Sequence, residues 1–273
     1  MKIAITLNAH ENTEVVNDCI QAMQKYVTND IAVIIDGAHW EDWGKSAELN
    51  AYKIQGFHHN YPKAPYRNLT YGLLETYKLF PDANWYCYSE YDVLFTSSNF
   101  QTDLEEAEKA NVWCIGNDLR NYCFNLPYFE KILGKEIKEY KYLLGCCVFY
   151  HKKLIEKMFQ DNFFNKFLEA TNEFEKGFFP GYEEQYGYDF GETLFPTMAH
   201  YYGGNVAQFA NWNQDFNHWT GNFKKYPMRW KPTLDWEDVY PDNSILHPCK
   251  KESELRMYYK TKRLREERIQ NGY

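Results

Sequence analysis

The chain has 273 residues, of which 25% are charged and 19% are aromatic, and its formal net charge is −8. This length is enough for one large domain with a substantial core. The acidic balance argues against nucleic acid as the main partner, but it leaves room for a small phosphorylated ligand that is held by a metal ion.

The seven cysteines include no C-x-x-C pair. This argues against a disulfide scaffold and a zinc site, and it favours a reduced, cytoplasmic protein. The sequence shows neither a secretory pattern nor an apolar run of transmembrane length. The basic segment Lys260–Arg268 reads as a helix that is either solvated or peripheral to an anionic membrane surface.

The first elements along the chain predict a parallel βαβ unit. Lys2–Leu7 is a short apolar strand, Glu14–Tyr26 has helical periodicity, and Ile31–Ile35 is a second apolar strand. In such sheets, ligands bind beyond the carboxyl ends of the strands. Asn8 and Asp36 follow the two strands, so we expect them at a ligand site, although Asp36 also begins a common Asp-Gly turn.

The next segments suggest where a phosphate would bind. Trp40–Lys63 reads as irregular, and a helix is predicted from Tyr66 to Leu79, before Pro81. Arg67 and Asn68 lie at its start, where a helix N-terminus suits a phosphate, although a surface ion pair explains Arg67 equally well. The chain has neither a G-x-G-x-x-G nor a Walker-A pattern, which argues against a dinucleotide enzyme or a P-loop NTPase.

The stretch Trp85–Phe95 carries the strongest chemical signal. It is an aromatic and apolar strand that is interrupted by Glu90 and Asp92. Residues i and i+2 of a strand share a face, so both carboxylates can point at one spot. Such a pair suits Mg²⁺ or Mn²⁺, while two solvated carboxylates on an edge strand remain the alternative.

Further alternating elements are predicted in the rest of the chain. The predicted strands are Val112–Gly116, Leu143–Tyr150, Val206–Phe209 and Ser244–Cys249, and the predicted helices are Leu104–Lys109, Lys152–Phe159 and one that opens at Gly191.

A second polar cluster precedes the last of these helices. Glu192 at the helix start is either a capping charge or a general base, and Asp189 lies just before it. Tyr188, Trp212 and Trp219 suit stacking on sugar faces, although ordinary packing also explains each ring.

Taken in order, these segments resemble the GT-A glycosyltransferases, particularly those of the family-2 type. The resemblance covers most of the chain. The matching segments are the strand ending at Asn8, the strand Ile31–Asp36, the run from Arg67-Asn68 to Glu90-Tyr91-Asp92, the segment Leu143–Lys153, Glu192 with Gly203-Gly204, and His247-Pro248 with Lys250.

This resemblance implies an α/β fold with a mixed, mostly parallel, Rossmann-like central sheet flanked by helices. It also implies a single catalytic domain over residues 1–273. Within it, residues 1–115 would form the nucleotide-binding half, 116–250 the acceptor-binding half and 251–273 a helical tail.

The resemblance also implies roles for individual residues. The metal ligands for Mn²⁺ or Mg²⁺ would be Glu90, Asp92 and His247. The donor-binding residues would be Asn8, Asp36, Arg67, Asn68, Tyr91 and Lys250, the catalytic carboxylate would be Glu192 or Asp189, and the acceptor-binding residues would be Tyr188, Trp212 and Trp219.

Two positions depart from the family pattern. Glu90 stands where the metal motif usually begins with Asp, and Thr193 stands where the catalytic helix usually carries Asp. The predicted function is metal-dependent, inverting transfer of a sugar from a nucleoside-diphosphate sugar to an acceptor hydroxyl. The alternatives are a non-catalytic carbohydrate- or nucleotide-binding protein and, less favoured, a sugar nucleotidyltransferase.

Overall fold

The computed structural model describes residues 1–44, 49–57, 67–122, 134, 137, 139–170, 190–209, 228–230 and 244–271. The strands are β1 (Ile3–Ala9), β2 (Ile31–Ile35), β3 (Tyr52–Gln55), β4 (Trp85–Glu90), β5 (Leu94–Phe95), β6 (Val112–Tyr122), β7 (Tyr140–His151), β8 (Asn205–Gln208), β9 (Met228–Trp230) and β10 (Ile245–His247). The α-helices are α1 (Thr13–Tyr26), α2 (Arg67–Leu79), α3 (Phe100–Lys109), α4 (Lys152–Gln160), α5 (Phe163–Ala170), α6 (Phe190–Tyr201) and α7 (Glu254–Gln270).

A seven-stranded sheet in the order β3-β2-β1-β4-β7-β6-β8 forms the centre of the fold. Its pairs are parallel except for β4–β7 and β7–β6, which are antiparallel. Strands β1 and β2 are buried along their whole length, as their continuous apolar runs predict for a sheet that is covered on both faces. The predicted α/β class with a mostly parallel central sheet is confirmed.

Alternate residues of the strands pack into two hydrophobic cores, one on each face of the central sheet. On one face, Ala4 and Tyr86 join a cluster with apolar side chains of α2, α4, α5 and α6. On the other face, Ile5 and Cys87 join a cluster with side chains of α1 and α3. The helices therefore flank the sheet on both sides, which leaves the strand ends as the place for polar groups.

A small second sheet, in the order β5-β10-β9, lies beside the end of β4. Leu246 of β10 pairs with Leu94 of β5, and the Thr96 amide donates to the Ser244 carbonyl at 2.8 Å. This pairing brings the end of β10, with His247, next to the turn between β4 and β5.

Helix α2 packs unusually close to the central sheet. A Cβ atom on Gly72 would lie 2.6 Å from the Thr6 side chain and 2.7 Å from that of Ile34. Glycine therefore allows an approach that a larger residue would block. This contact fixes Arg67 and Asn68, at the start of α2, against the sheet.

Several predicted boundaries are wrong, and the predicted irregular segment Trp40–Lys63 contains structure. It holds a short π-helix at Trp40–Gly44 and the edge strand β3. The sequence of β3, Tyr-Lys-Ile-Gln, has no apolar run because the strand is half-exposed at the sheet edge.

Strand β6 continues to Tyr122 instead of ending at Gly116. Its polar second part pairs with β7 across two register shifts, which an apolar-run criterion does not detect. Helix α3 begins at Phe100 rather than Leu104, and α5 was not predicted.

The C-terminal helix α7 is longer than the predicted Lys260–Arg268. It packs through Leu255 and Tyr259 against Ala22 of α1 and against Leu94 and Leu246 of the small sheet. Within the residues that the structure describes, no helix has the length and apolar character needed to cross a bilayer.

Candidate active site

Three of the predicted polar residues meet at one edge of the central sheet. Asn8, near the end of β1, is in register with Glu90 at the end of β4 and with Ile34 of β2. Asp36 directly follows β2 and is buried, and its amide donates to the Ala9 carbonyl at 2.9 Å. The carboxyl ends of three adjacent parallel strands therefore carry Asn8, Asp36 and Glu90, as the sequence predicted.

The predicted metal ligands also come together at this edge. The Nε2 atom of His247 lies 3.1 Å from Oδ1 of Asp92 and 3.2 Å from Oε2 of Glu90. One candidate ligand atom from each of the three residues lies within 4.8 Å of the others. Asp92 and His247 are only 4% and 6% exposed, whereas the Glu90 side chain is 29% exposed, so the group is buried except at Glu90.

The chemistry of this cluster fits a divalent cation. A single Nε2 atom carries at most one hydrogen, so the two carboxylates can only share it and neither is fully satisfied by His247. Two carboxylates this close at a largely buried site need a positive charge between them. Two carboxylates with one imidazole suit Mn²⁺. Mg²⁺ prefers oxygen ligands, so it would bind the two carboxylates and complete its coordination with water.

The same groups shift each other's protonation. Burial raises the pKa of Asp92, but His247 and then Lys250 more than offset this, so the net pKa lies below its usual value. Burial lowers the pKa of His247, while Cys146 and the carboxylates of Asp92 and Glu90 raise it well above its usual range. The cluster therefore holds negative charge on Asp92 and attracts positive charge to its centre.

Two residues that the sequence analysis did not assign to the site also lie in it. The Cys146 thiol lies close enough to His247 for each group to shift the pKa of the other, and burial raises the pKa of Cys146 to about 11. The last registered pair of the antiparallel strands β4 and β7 is Ser89 with Cys147. The next residues on these strands are Glu90 and Cys146, which therefore lie side by side. Tyr88 accepts a hydrogen bond from Nδ2 of Asn8 at 3.2 Å through its hydroxyl. The β4–β7 pairing, which the sequence did not predict, reveals Cys146, and the pairing of β1 with β4 reveals Tyr88.

Glu192 contacts strand β7, which also carries Cys146. Its Oε1 atom accepts a hydrogen bond from the amide of Gly145 at 2.8 Å, and Gly145 precedes Cys146 in β7. The first turn of α6 thus places Glu192 against β7, and the next residue of β7, Cys146, is a neighbour of His247. Thr193 is buried in the same turn.

The remaining predicted donor residues are arranged around this edge in different ways. Arg67 is buried, stacks over the Phe57 ring at 4.2 Å and donates to the Leu168 carbonyl at 3.4 Å. The side chain of Asn68 bonds to both backbone groups of Phe57, at 2.7 and 3.2 Å. Both residues thereby hold the segment that follows β3.

Tyr91 and Lys250 lie close to the candidate metal ligands. The Tyr91 hydroxyl donates to Oε2 of Glu11 at 2.6 Å, and its ring meets His10 edge-on with the ring centroids 4.7 Å apart. Lys250 is exposed, and its positive charge helps to lower the pKa of Asp92. The predicted residues Asp189, Tyr188, Trp212 and Trp219 lie outside the described residues.

Comparison with known proteins gives similarity at the level of structure. No protein-family model matches the chain, and no curated protein matches it. Among solved structures, the chain is similar to the galactosyltransferase LgtC in complex with donor and acceptor sugar analogs, with 12% identity, a TM-score of 0.45 and coverage of 92% of this chain and 88% of that one.

Two further structures align over similar lengths. A glycosyltransferase involved in glycosylation of the major capsid of PBCV-1 has 11% identity and a TM-score of 0.44, and the match covers 94% of this chain and 99% of that one. Mouse xyloside xylosyltransferase 1 has 9% identity and a TM-score of 0.41, with 90% and 97% covered. At these identities and TM-scores, the activity of this chain has to be inferred from its own residues.

Proposed function

We propose that the protein is a metal-dependent glycosyltransferase that moves a sugar from a nucleoside-diphosphate sugar to an acceptor hydroxyl. The observation that carries this proposal is the cluster of Glu90, Asp92 and His247 at the carboxyl end of the central sheet. Ligands of open α/β sheets bind at this end of the strands. The family resemblance of the sequence motifs supports the same assignment.

In this proposal, Glu90, Asp92 and His247 hold Mn²⁺ or Mg²⁺. When bound, such an ion stabilises the negative charge that develops on a diphosphate leaving group. Lys250 is the exposed cation beside Asp92 and supplies a further positive charge to the phosphates. The proposed cation and Lys250 thus place positive charge beside the diphosphate leaving group.

The other half of the proposed donor site recognises the nucleoside. Asp36, Asn8 and Tyr91 border the metal cluster and offer polar groups to the base and the ribose. Arg67 and Asn68 shape the wall of this site, since they hold the Phe57 segment that follows β3. Tyr188, Trp212 and Trp219 are the proposed acceptor-binding residues.

Glu192 is the proposed general base. Its carboxylate accepts the proton from the acceptor hydroxyl as that oxygen attacks the anomeric carbon. The bond between the anomeric carbon and the diphosphate oxygen breaks, and the diphosphate leaves with the electron pair. Direct displacement of this kind inverts the anomeric configuration. Asp189 is the alternative base.

One observation favours a second candidate, a nucleotide- or carbohydrate-binding protein without catalysis. Oε1 of Glu192 already accepts the Gly145 amide, which gives this carboxylate a structural role. In that case the protein would bind a nucleotide with metal but would not turn it over. Measuring turnover as well as binding separates the two candidates.

We also propose a cytoplasmic location, in which α7 is either solvated or peripheral to an anionic membrane surface. The six cysteines that the structure describes are free and buried, in keeping with a reducing compartment. The outer face of α7 exposes Met257, Tyr258, Leu264 and Ile269 together with the basic residues Lys260, Lys262, Arg265 and Arg268. This combination is complementary to anionic lipid headgroups.

Co-sedimentation with vesicles tests the peripheral alternative. Binding to phosphatidylserine vesicles but not to phosphatidylcholine vesicles, with loss on Lys262→Glu combined with Arg265→Glu, is the expected result. Equal binding, or none, to both vesicle types would overturn that alternative.

A thermal-shift screen of nucleoside diphosphates and nucleotide sugars, with and without Mn²⁺, tests the donor site. A ligand at a hundred times its dissociation constant adds about 2.7 kcal/mol of stability. We expect a shift with one nucleotide that requires Mn²⁺ and is lost in Asp92→Ala. The absence of any nucleotide shift in the presence of metal would overturn the glycosyltransferase assignment.

A further inference from the structure

The turn that carries Asp92 is held by hydrogen bonds from two other parts of the chain. The Cys19 thiol of α1 lies 2.8 Å from the Tyr91 carbonyl oxygen and 3.0 Å from that of Val93, so its hydrogen is shared between them. The Cys249 amide donates to the Asp92 carbonyl at 2.7 Å. Three consecutive carbonyls around Asp92 are therefore fixed by two buried residues.

Both of these residues are bound by one guanidinium group. Nε and Nη2 of Arg256, in α7, donate to the Cys249 carbonyl at 2.7 and 2.5 Å, and Nη2 also lies 3.4 Å from the Cys19 sulfur. Nη1 of Arg256 donates to Oδ2 of Asp18 at 2.5 Å. Asp18 and Arg256 are 3% and 4% exposed, so the guanidinium is fixed inside the protein.

The contacts of Arg256 reach both segments that carry metal ligands. Cys249 follows His247 by two residues, and Cys19 bonds to the backbone on either side of Asp92. A buried ion pair is weak evidence for added stability, because desolvation of the charges offsets their attraction. The contacts of Arg256 with Cys249 and Cys19 are not part of its ion pair with Asp18, and a role in fixing the geometry of these two segments accounts for them.

We propose that Arg256, held by Asp18, is a positioning residue that sets the separation of Asp92 and His247 for cation binding. It acts through the Cys249 peptide and the Cys19 thiol, and it does not touch the ion. This inference rests on the proposed metal centre of Glu90, Asp92 and His247. Groups that hydrogen-bond directly to metal ligands typically contribute about 10- to 100-fold to metal affinity, and Arg256 acts one contact further from the ion, so we expect an effect at the lower end of this range.

The chain offers a matched control for this proposal. Arg263 lies in the same helix, is 3% exposed and also bonds to Asp18 through its guanidinium, at Oδ1. No hydrogen bond from Arg263 to Cys19 or Cys249 is found among the described residues. Arg256→Met and Arg263→Met each remove one buried arginine from Asp18, but only Arg256→Met also releases the two ligand-bearing segments.

The experiment titrates Mn²⁺ alone into the full chain, follows free Mn²⁺ by electron paramagnetic resonance, and records the melting temperature of each variant. We expect Arg256→Met to weaken Mn²⁺ binding by about tenfold or more, and Arg263→Met to change it by less than about twofold at a comparable loss of melting temperature. Equal Mn²⁺ affinity in the two variants would overturn the proposal.

A second variant keeps the proposal testable if Arg256→Met does not fold. Cys19→Ala removes the hydrogen shared by the Tyr91 and Val93 carbonyls and leaves every charge in place. It should also weaken Mn²⁺ binding several-fold, and wild-type affinity in this variant would count against the proposal. If the wild-type protein binds no Mn²⁺, the proposed metal centre itself fails. Wild-type binding that is unchanged in the variants overturns only the positioning role.

Discussion

The imidazole Nε2 of His247 lies 3.1 Å from Oδ1 of Asp92, although His247 belongs to the small sheet and Asp92 lies in the turn that leaves the central sheet. Asp92 follows the central strand β4, and His247 ends β10 of the small sheet. The pairing of β10 with β5 creates this contact, because it brings the end of β10 beside the β4–β5 turn. The candidate metal centre is therefore a product of tertiary structure, and it depends on how the two sheets are joined.

Replacing His247 tests its role as a ligand. His247→Ala should weaken Mn²⁺ binding by at least about tenfold, since it removes a residue that would coordinate the ion directly. His151→Ala is the control, because His151 is equally buried but acts as the N-cap of α4, where its Nδ1 accepts the Lys153 amide at 3.2 Å. Isothermal titration with Mn²⁺ measures both. Similar Mn²⁺ affinities for the two variants would show that His247 is not a ligand.

Glu192→Gln separates a catalytic carboxylate from a structural one. Glutamine keeps an oxygen for the Gly145 amide but cannot accept the acceptor proton at neutral pH. We expect kcat to fall by about 10²- to 10⁴-fold while the nucleotide-induced thermal shift is retained. Glu139→Gln is the control, because it alters an exposed carboxylate that pairs with His200 of α6, the helix that also carries Glu192. It should leave kcat unchanged. Wild-type turnover in Glu192→Gln would assign that residue a structural role only.

The buried charge network of α1 and α7 predicts a large stability effect. Asp18→Ala leaves the guanidinium groups of Arg256 and Arg263 buried without their carboxylate, and it should lower the free energy of unfolding by about 3–5 kcal/mol. Glu14→Ala breaks the exposed pair with Lys251 and should cost less than about 0.5 kcal/mol. Urea unfolding measures both values. A cost for Asp18→Ala as small as that for Glu14→Ala would contradict the network.

Asp103 of α3 predicts a pH-dependent stability. Burial, with a contribution from Glu106, raises the pKa of Asp103 from 3.8 to about 6. The folded state therefore binds this proton more tightly than the unfolded state, so ionisation destabilises the fold as pH rises through about 6. At about pH 8, Asp103→Asn should be more stable than the wild type by roughly 1 kcal/mol, after allowance for partial exposure.

This advantage of Asp103→Asn should shrink as the pH falls to about 5, where the wild-type carboxyl is largely protonated. Thermal unfolding of both proteins across this range measures the difference. An advantage that is the same at about pH 5 and about pH 8 would show that the Asp103 carboxyl titrates normally in the folded state.

The sequence predicted the central part of the fold because its strands are buried. Ile31–Ile35 is apolar throughout and Ile3–Ala9 is apolar except at Thr6 and Asn8, and such runs identify parallel strands that are covered on both faces. Edge strand β3 and the polar part of β6 were missed, since their pairing depends on neighbouring strands and leaves no apolar run in the sequence.

The candidate site was predictable where it lies at strand ends. Glu90 and Asp92 interrupt an apolar run of the sequence, which marks them from the sequence alone, and the family resemblance added His247. The prediction that one strand carries both was wrong, because β4 ends at Glu90 and Asp92 lies in the following turn. Cys146 and the contacts of Arg256 with Cys19 and Cys249 depend on long-range packing, so no local pattern indicates them.

The most direct test of the central claim is release of nucleoside diphosphate from a panel of nucleotide sugars, measured for the wild type and Asp92→Asn with Mn²⁺ or with EDTA. We predict that the wild type releases the nucleotide from one donor class in Mn²⁺ and accelerates when an acceptor hydroxyl is supplied. EDTA and Asp92→Asn should each abolish this release. Release that persists in EDTA and in Asp92→Asn, or no release from any donor, would contradict a metal-dependent glycosyltransferase.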